Sequence, residues 1–260
     1  MYENSVKQRL KKGLPTVGSW INLPSPAIAE FMADYGMDWL LFDTEHGPYS
    51  EEAVEDLIRA IKGTEVVPLV RVAGNDPFLI KKVLDRGAMG IICPLVNSAE
   101  EARAAVAACK YPPEGMRGVA GTRASNFGRD LDDYFERWNS EVLVACQIET
   151  AEALENVEAI AAVPGLDVLF IGPKDLSASL GFFGQSDHPE VTAAVNRIVQ
   201  AAKKHGIAAG YYASGPEDVL RRIDQGINFV ACASELSLLA DAAESAYGMI
   251  KRGLSERREG

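Results

Sequence analysis

Three short phrases hold the residues able to do chemistry in this chain: Phe42-Asp43-Thr44-Glu45-His46-Gly47-Pro48, Gln147-Ile148-Glu149-Thr150 and Gly172-Pro173-Lys174-Asp175-Leu176-Ser177. Each stands where an apolar run of strand length stops. Glu149 ends one run and Asp175 lies just past the next; neighbouring strands of a parallel sheet sit about 5 Å apart, so two carboxylates at matching height could share a hard divalent cation with room left for substrate. Either acid could instead cap the helix that follows it. His46, beside Asp43 and Glu45, has the imidazole–carboxylate pairing of a general base near neutral pH, or is a loop histidine packed near acids. Arg71 sits within the apolar run Val66–Val72 and needs an anion, either a substrate oxygen or one of these acids. Lys174 could form a Schiff base only if desolvated. Beside Asp175 it reads as a backbone contact, in a turn whose N–H groups could face a carboxylate.

These residues can converge only if strand ends do. Continuously apolar runs at Thr16–Leu23, Asp38–Asp43, Val66–Val72, Ala88–Pro94, Val142–Ile148, Asp167–Gly172, Ala208–Tyr212 and Phe229–Cys232 read as strands covered on both faces. Helical periodicity falls between them, at Pro26–Tyr35, Ser50–Ile61, Pro77–Asp85, Ser98–Cys109, Ala151–Ala162, Pro189–His205, Pro216–Gln225 and Leu236–Lys251. Eight strand-then-helix units predict an α/β fold, a (β/α)8 TIM barrel, with the active site at the carboxyl ends of its strands. A doubly wound sheet is the alternative, but the glycine fingerprint after its first strand is missing. Tyr111–Gly128 interrupts the alternation with four glycines, Arg117 and Arg123, and a short helix at Leu131–Trp138 follows. With no linker and no stronger repeat, the 260 residues read as one domain.

A formal net charge of −11 argues against nucleic acid or an anionic membrane surface as partner. No apolar stretch reaches the roughly 18 residues of a membrane helix, and Met1–Gly13 has no apolar signal-peptide core. Cys93, Cys109, Cys146 and Cys232 form no C-x-x-C pair and read as reduced, buried residues, which points to the cytoplasm.

The three phrases, together with Val70-Arg71-Val72, Leu84-Asp85-Arg86-Gly87-Ala88, Arg117-Gly118-Val119 and His188-Pro189-Glu190-Val191, resemble the HpcH/HpaI aldolase family over about Leu14 to Ile250. The resemblance implies a class II, metal-dependent pyruvate aldolase. His46 would be the base, Arg71 the oxyanion stabiliser and Asp85 the partner that raises the histidine's basicity. Glu149 and Asp175 would hold Mg²⁺, Mn²⁺ or Co²⁺, with Gln147 and the backbone at Lys174 on the oxo-acid end; Lys174 stands where a small residue is expected. Topology alone favours Asp43 or Glu45 as the partner of His46, because Asp85 lies late in a helix that points away from the catalytic face. Arg123, Tyr211 and Tyr212 are candidates for aldehyde selectivity. The helix Leu236–Lys251 resembles the family's swapped element and implies a homo-oligomer, a hexamer built as a trimer of swapped dimers. Family members cleave sugar-derived oxo acids such as dehydro-deoxy-glucarate and rhamnonate, or hydroxy-oxo-heptanedioate. The rival readings are a CoA-thioester lyase of the citrate lyase β type, a Lys174 Schiff-base aldolase, and a barrel that binds an oxo acid without turnover.

Overall fold

In the computed structural model, which describes residues 3–259, eight parallel strands close into a barrel in chain order. They are β1 Thr16–Ile21, β2 Trp39–Asp43, β3 Val67–Arg71, β4 Gly90–Cys93, β5 Leu143–Ile148, β6 Val168–Ile171, β7 Ala208–Ala213 and β8 Phe229–Ser234. Around them lie α1 Ser5–Lys11, α2 Pro26–Ala33, α3 Glu51–Ala60, α4 Pro77–Asp85, α5 Ala99–Cys109, α6 Leu131–Glu141, α7 Ala151–Glu155, α8 Val157–Ala161, α9 Pro173–Ser179, α10 Pro189–His205, α11 Pro216–Asp224 and α12 Glu235–Glu259. The apolar runs thus form the staves of the barrel, as their two-sided burial requires. Two short helices, α1 and α9, carry no long apolar period and escape a reading by periodicity. The single helix expected over Ala151–Ala162 is broken at Asn156, which ends α7 and starts α8.

Side-chain volume fills the barrel by alternation of large and small. Trp39 stacks on Phe229 with ring centroids 4.4 Å apart, and Trp20 packs on Phe170 and Tyr212 at 5.3 Å each. Gly18 and Gly210 face them: a Cβ at Gly18 would overlap the Trp39 ring, and one at Gly210 would lie 2.6 Å from Phe170. Large residues are admitted only opposite these gaps, which makes the interior a packed core rather than a pore. The floor this creates leaves the carboxyl ends of the strands as the open mouth.

Every helix that follows a strand must begin at that mouth, and the sequence marks the starts. Ser25, Ser50, Asp76, Ser98 and Thr150 each accept a hydrogen bond from a backbone N–H of the first turn, and prolines open α2, α4, α9, α10 and α11. The helices end at the opposite rim.

Candidate active site

Asp43 and Arg71 are register partners at the tops of β2 and β3. Side chains directly opposite on neighbouring strands point the same way, so the guanidinium meets the carboxylate as a fork: Nε donates to Oδ1 at 2.9 Å and Nη2 to Oδ2 at 2.6 Å. Oδ1 also accepts the backbone N–H groups of Glu45 at 3.1 Å and His46 at 3.4 Å, which folds the β2–α3 turn over the pair. Burial opposes the charge on Arg71, but the hydrogen bond and charge of Asp43, with Glu45 beside it, outweigh burial and push its pKa up. Trp20 lies under the guanidinium, 5.6 Å from ring centroid to Cζ. The lone arginine in an apolar strand is therefore paired, largely desolvated and fixed.

Glu45 continues the array. Its Oε2 is 3.0 Å from Arg71 Nη1 and 3.9 Å from His46 Nε2, and it is buried without a well-aligned hydrogen bond. Burial raises the Glu45 pKa; Arg71 and His46 oppose that rise, while Asp43 and Asp175 add to it. The His46 side chain is 70% exposed and lines the cavity above the barrel.

Across the mouth, Glu149 follows β5 and is 3% exposed. It does not cap α7, because Thr150 takes that place. Its Oε1 accepts the N–H of Leu95 at 2.9 Å, and Gln147 Nε2 donates to Oε2. Leu95 holds a φ of 52°, a conformation costly for a non-glycine residue, and so aims its N–H at the carboxylate. Gly172, level with Glu149 on the next strand, leaves the space: a Cβ there would sit 2.6 Å from Oε2 and 2.9 Å from Gln147 Nε2. Burial raises the Glu149 pKa; the Leu95 N–H pulls it back, and the Asp175 and Glu45 charges push it up again. Asp175 stands in the first turn of α9, whose N-terminus no side chain caps.

One cavity of about 650 Å³ is lined by Asp43, His46, Arg71, Gln147, Lys174 and Asp175, with Trp20, Phe170, Phe183, Tyr212 and Leu236 on its apolar side. The donor set suits a hard divalent cation. Asp175 lines the cavity, buried Glu149 lies close enough behind Gly172 to feel its charge, and Gln147 Oε1 is buried without a partner. Among the described residues no three His, Cys, Asp or Glu side chains converge into a closed metal shell. The arrangement thus suits an ion that keeps positions for water or substrate.

Several residues lie elsewhere. Asp85 ends α4, at the rim opposite the cavity, and pairs with buried Arg117 at 2.7 Å; within one chain it does not meet His46. Arg117 is enclosed by Tyr111, Tyr134 and Trp138, with ring centroids 4.5–5.6 Å from its Cζ. Arg123 donates to the carbonyl of Arg86 at 2.6 Å, on that same side. Tyr212 lines the cavity, whereas Tyr211 faces outward under Arg222, 3.9 Å from Cζ to ring centroid. Lys174 lines the cavity but is exposed, without the burial that activates a Schiff-base amine. Sequence reasoning missed Glu235, whose Oε1 accepts the N–H groups of Asn22 at 2.8 Å and Leu23 at 2.7 Å and ties the β1–α2 loop to the start of α12. No motif could reveal it, since more than 200 residues separate the partners.

Residues 16–242 match the model of the HpcH/HpaI aldolase/citrate lyase family. A pyruvate aldolase of Rhizobium etli is 44% identical over 243 residues, 93% of this chain and 95% of its own. A 4-hydroxy-2-oxo-heptane-1,7-dioate aldolase of Escherichia coli is 42% identical over 245 residues, 94% of this chain and 93% of its own. The crystal structure of an HpcH/HpaI aldolase/citrate lyase family protein from Burkholderia cenocepacia superposes with a TM-score of 0.92 at 38% identity, covering 95% of this chain and 99% of that one.

Proposed function

Because the chain belongs to the HpcH/HpaI aldolase/citrate lyase family, we propose that this aldolase cleaves 4-hydroxy-2-oxo acids reversibly to pyruvate and an aldehyde, using a divalent metal ion. The observation that carries the reading is the meeting, at one cavity, of a paired arginine, an imidazole with a carboxylate neighbour, Asp175 on the wall and buried Glu149 just behind it. Glu149 and Asp175 would hold Mg²⁺, Mn²⁺ or Co²⁺. When bound, the ion supplies Lewis-acid polarisation of the substrate's 2-oxo group.

The protein's own groups would do the rest. Gln147 and the backbone N–H groups at the start of α9 would orient the oxo-acid end. His46, directly or through one water, takes the proton of the C4 hydroxyl. The C3–C4 bond then breaks, its electron pair passes into the enolate of pyruvate, and C4 leaves as the aldehyde carbonyl. Arg71, held by Asp43, stabilises the charge that develops on oxygen without having to reorganise. Imidazolium then returns its proton to C3, giving pyruvate. The tryptophan, phenylalanines and tyrosine of the cavity limit water around the enolate.

Asp85 could serve His46 only from a second copy, because its own chain places it at the far rim. The long helix α12 leaves Leu239, Tyr247, Met249, Ile250 and Leu254 exposed, which favours an oligomer; the hexamer and a cytoplasmic location are part of the proposal. Among the described residues no helix is long and apolar enough to cross a membrane.

The test is retro-aldol turnover with a 4-hydroxy-2-oxo acid, followed through pyruvate release. EDTA should abolish it and Mn²⁺ or Co²⁺ should restore it, and His46→Ala should lower it at least a hundredfold. Borohydride with pyruvate should trap nothing on Lys174, and added CoA thioesters should not be consumed. Undiminished turnover in His46→Ala removes the assignment of the base.

A further inference from the structure

We propose that the amino-end face of the barrel, opposite the catalytic mouth, holds a binding site for a phosphate-type dianion, built from Lys7, Lys11 and Lys110. A cavity of about 410 Å³ opens there between α1, the end of α6 and the turns that lead into β6 and β7. Its charged walls are those three lysines against Glu114 and Asp167. A surplus of cations at one spot runs against the balance of a chain whose net charge is −11. Lys7 and Lys110 are largely sealed from water, with side chains only 6% and 10% exposed. Lys7 Nζ donates to the carbonyl of Val142 and to Asp167 Oδ2, the latter at 2.9 Å, and has a third N–H to give. Lys110 Nζ donates to Glu114 Oε2 at 2.7 Å and also carries three. Lys11, in the last turn of α1, is exposed and has no ion-pair partner among the described residues. Asp167 opposes a ligand least, because its Oδ2 accepts both Lys7 and the Val144 N–H at 2.9 Å each.

Glu114 marks where the anion goes. Its side chain is 54% exposed, yet its carboxylate is held by Lys110 and, at 3.2 Å, by Asn139 Nδ2. Those two hydrogen bonds, with the charges of Lys110 and Lys7, lower the Glu114 pKa. Lys7 reports the same field from the other side: burial, with the charges of Lys11 and Lys110, outweighs Asp167 and lowers its pKa. The cavity thus favours a negative group and strains its own ammoniums. An incoming dianion can turn the exposed Glu114 side chain out to solvent and take its place, leaving three cations to one acid. Tetrahedral oxygens can meet three ammoniums from different directions. Lysines bind phosphate as point charges, whereas a planar carboxylate is better matched by an arginine fork, which this cavity lacks. The space admits the organic part of a monoester as well as free phosphate. Because β5 and β6 separate this face from the mouth, such a ligand does not compete with the oxo acid.

Titration calorimetry of the intact protein with inorganic phosphate, in EDTA and at constant ionic strength, tests the inference without any turnover, so it stands or falls apart from the aldolase reading. One phosphate per chain should bind saturably. Lys11→Gln and Lys110→Gln should each weaken it on the order of tenfold, and Glu114→Gln, which removes the competing carboxylate, should tighten it about threefold or more. Lys7 is tied into the barrel floor and its loss endangers folding, so the exposed Lys11 and Glu114 carry the test. Lys174→Ala, in the catalytic mouth, should bind phosphate as the parent does. The same titration with glycerol 3-phosphate separates the two sources of the group: tighter binding than phosphate assigns the site to a phosphorylated metabolite, equal or weaker binding to the free ion. No saturable heat up to about 10 mM phosphate overturns the inference. So does binding that ignores Lys11→Gln and Glu114→Gln, or that is lost in Lys174→Ala, which would place the anion in the mouth.

Discussion

At the scale of single residues, the site stores unfavourable electrostatics for later use. Glu149 is ionised only against the cost of its burial and the charges of Asp175 and Glu45. Its folded pKa lies above the ordinary carboxylate value, so the folded chain holds the proton longer than the unfolded one. The stability of the metal-free protein must therefore fall as pH rises from the ordinary glutamate range through the raised value. Glu149→Gln removes that loss; its amide oxygen keeps the Leu95 N–H, and its NH2 donates to Gln147 Oε1 once the Gln147 amide turns over. The variant should melt a few degrees higher than the parent at neutral pH in EDTA, with no advantage in acid. Mn²⁺ should raise the melting temperature of the parent and leave the variant unmoved. Calorimetry at two pH values checks both.

At the scale of elements, one backbone position places the site. Gly172 follows β6 beside Glu149, and its φ of −91° would suit any residue; space, not conformation, demands glycine there. Gly172→Ala should fold, but its methyl group meets the Glu149 carboxylate. We expect at least tenfold weaker Mn²⁺ binding by titration calorimetry, with a far smaller effect on melting. The segment between α5 and α6 illustrates the opposite case. Its Arg117 is buried among three aromatic rings and paired with Asp85, which braces the loop against α4. Arg117→Ala should cost about 3–5 kcal/mol in urea unfolding, because it strands a partly buried carboxylate and empties an aromatic cage. Arg117→Lys should recover little of this, having neither the fork nor the planar stack.

At the scale of the whole molecule, the barrel and its helices bury phenols and thiols out of reach of water. Burial pushes Tyr211 up to about 12 and Cys93 up to about 12, and carries Tyr49, Tyr134 and Cys109 higher still. Each raised value means that the unfolded chain loses its proton first. These groups therefore contribute their full stability below about pH 8, and that contribution is lost as pH climbs from there toward 12. The urea midpoint should drop steadily over that range. Tyrosinate absorbance should rise in two waves, with the second coincident with unfolding.

Much of this was legible without coordinates. Continuous apolar runs mark the eight staves because a parallel sheet covered on both faces admits little else, and Ser50, Ser98 and the prolines mark helix starts through their own backbone chemistry. Asp43, Glu45, His46, Arg71, Gln147, Glu149, Lys174 and Asp175 were visible as polar residues at strand ends. Closure of the sheet decides the rest, because it sets side by side residues that the chain separates. It engages both oxygens of Asp43 with Arg71, leaves Glu45 beside His46, sends Asp85 and Arg123 to the opposite rim, turns Tyr211 outward and Tyr212 inward, and lets Glu235 hold the β1–α2 loop. Periodicity reports which face a residue takes on its own element. Which partner it meets depends on register and on contacts across the barrel, and those exist only once the chain has closed.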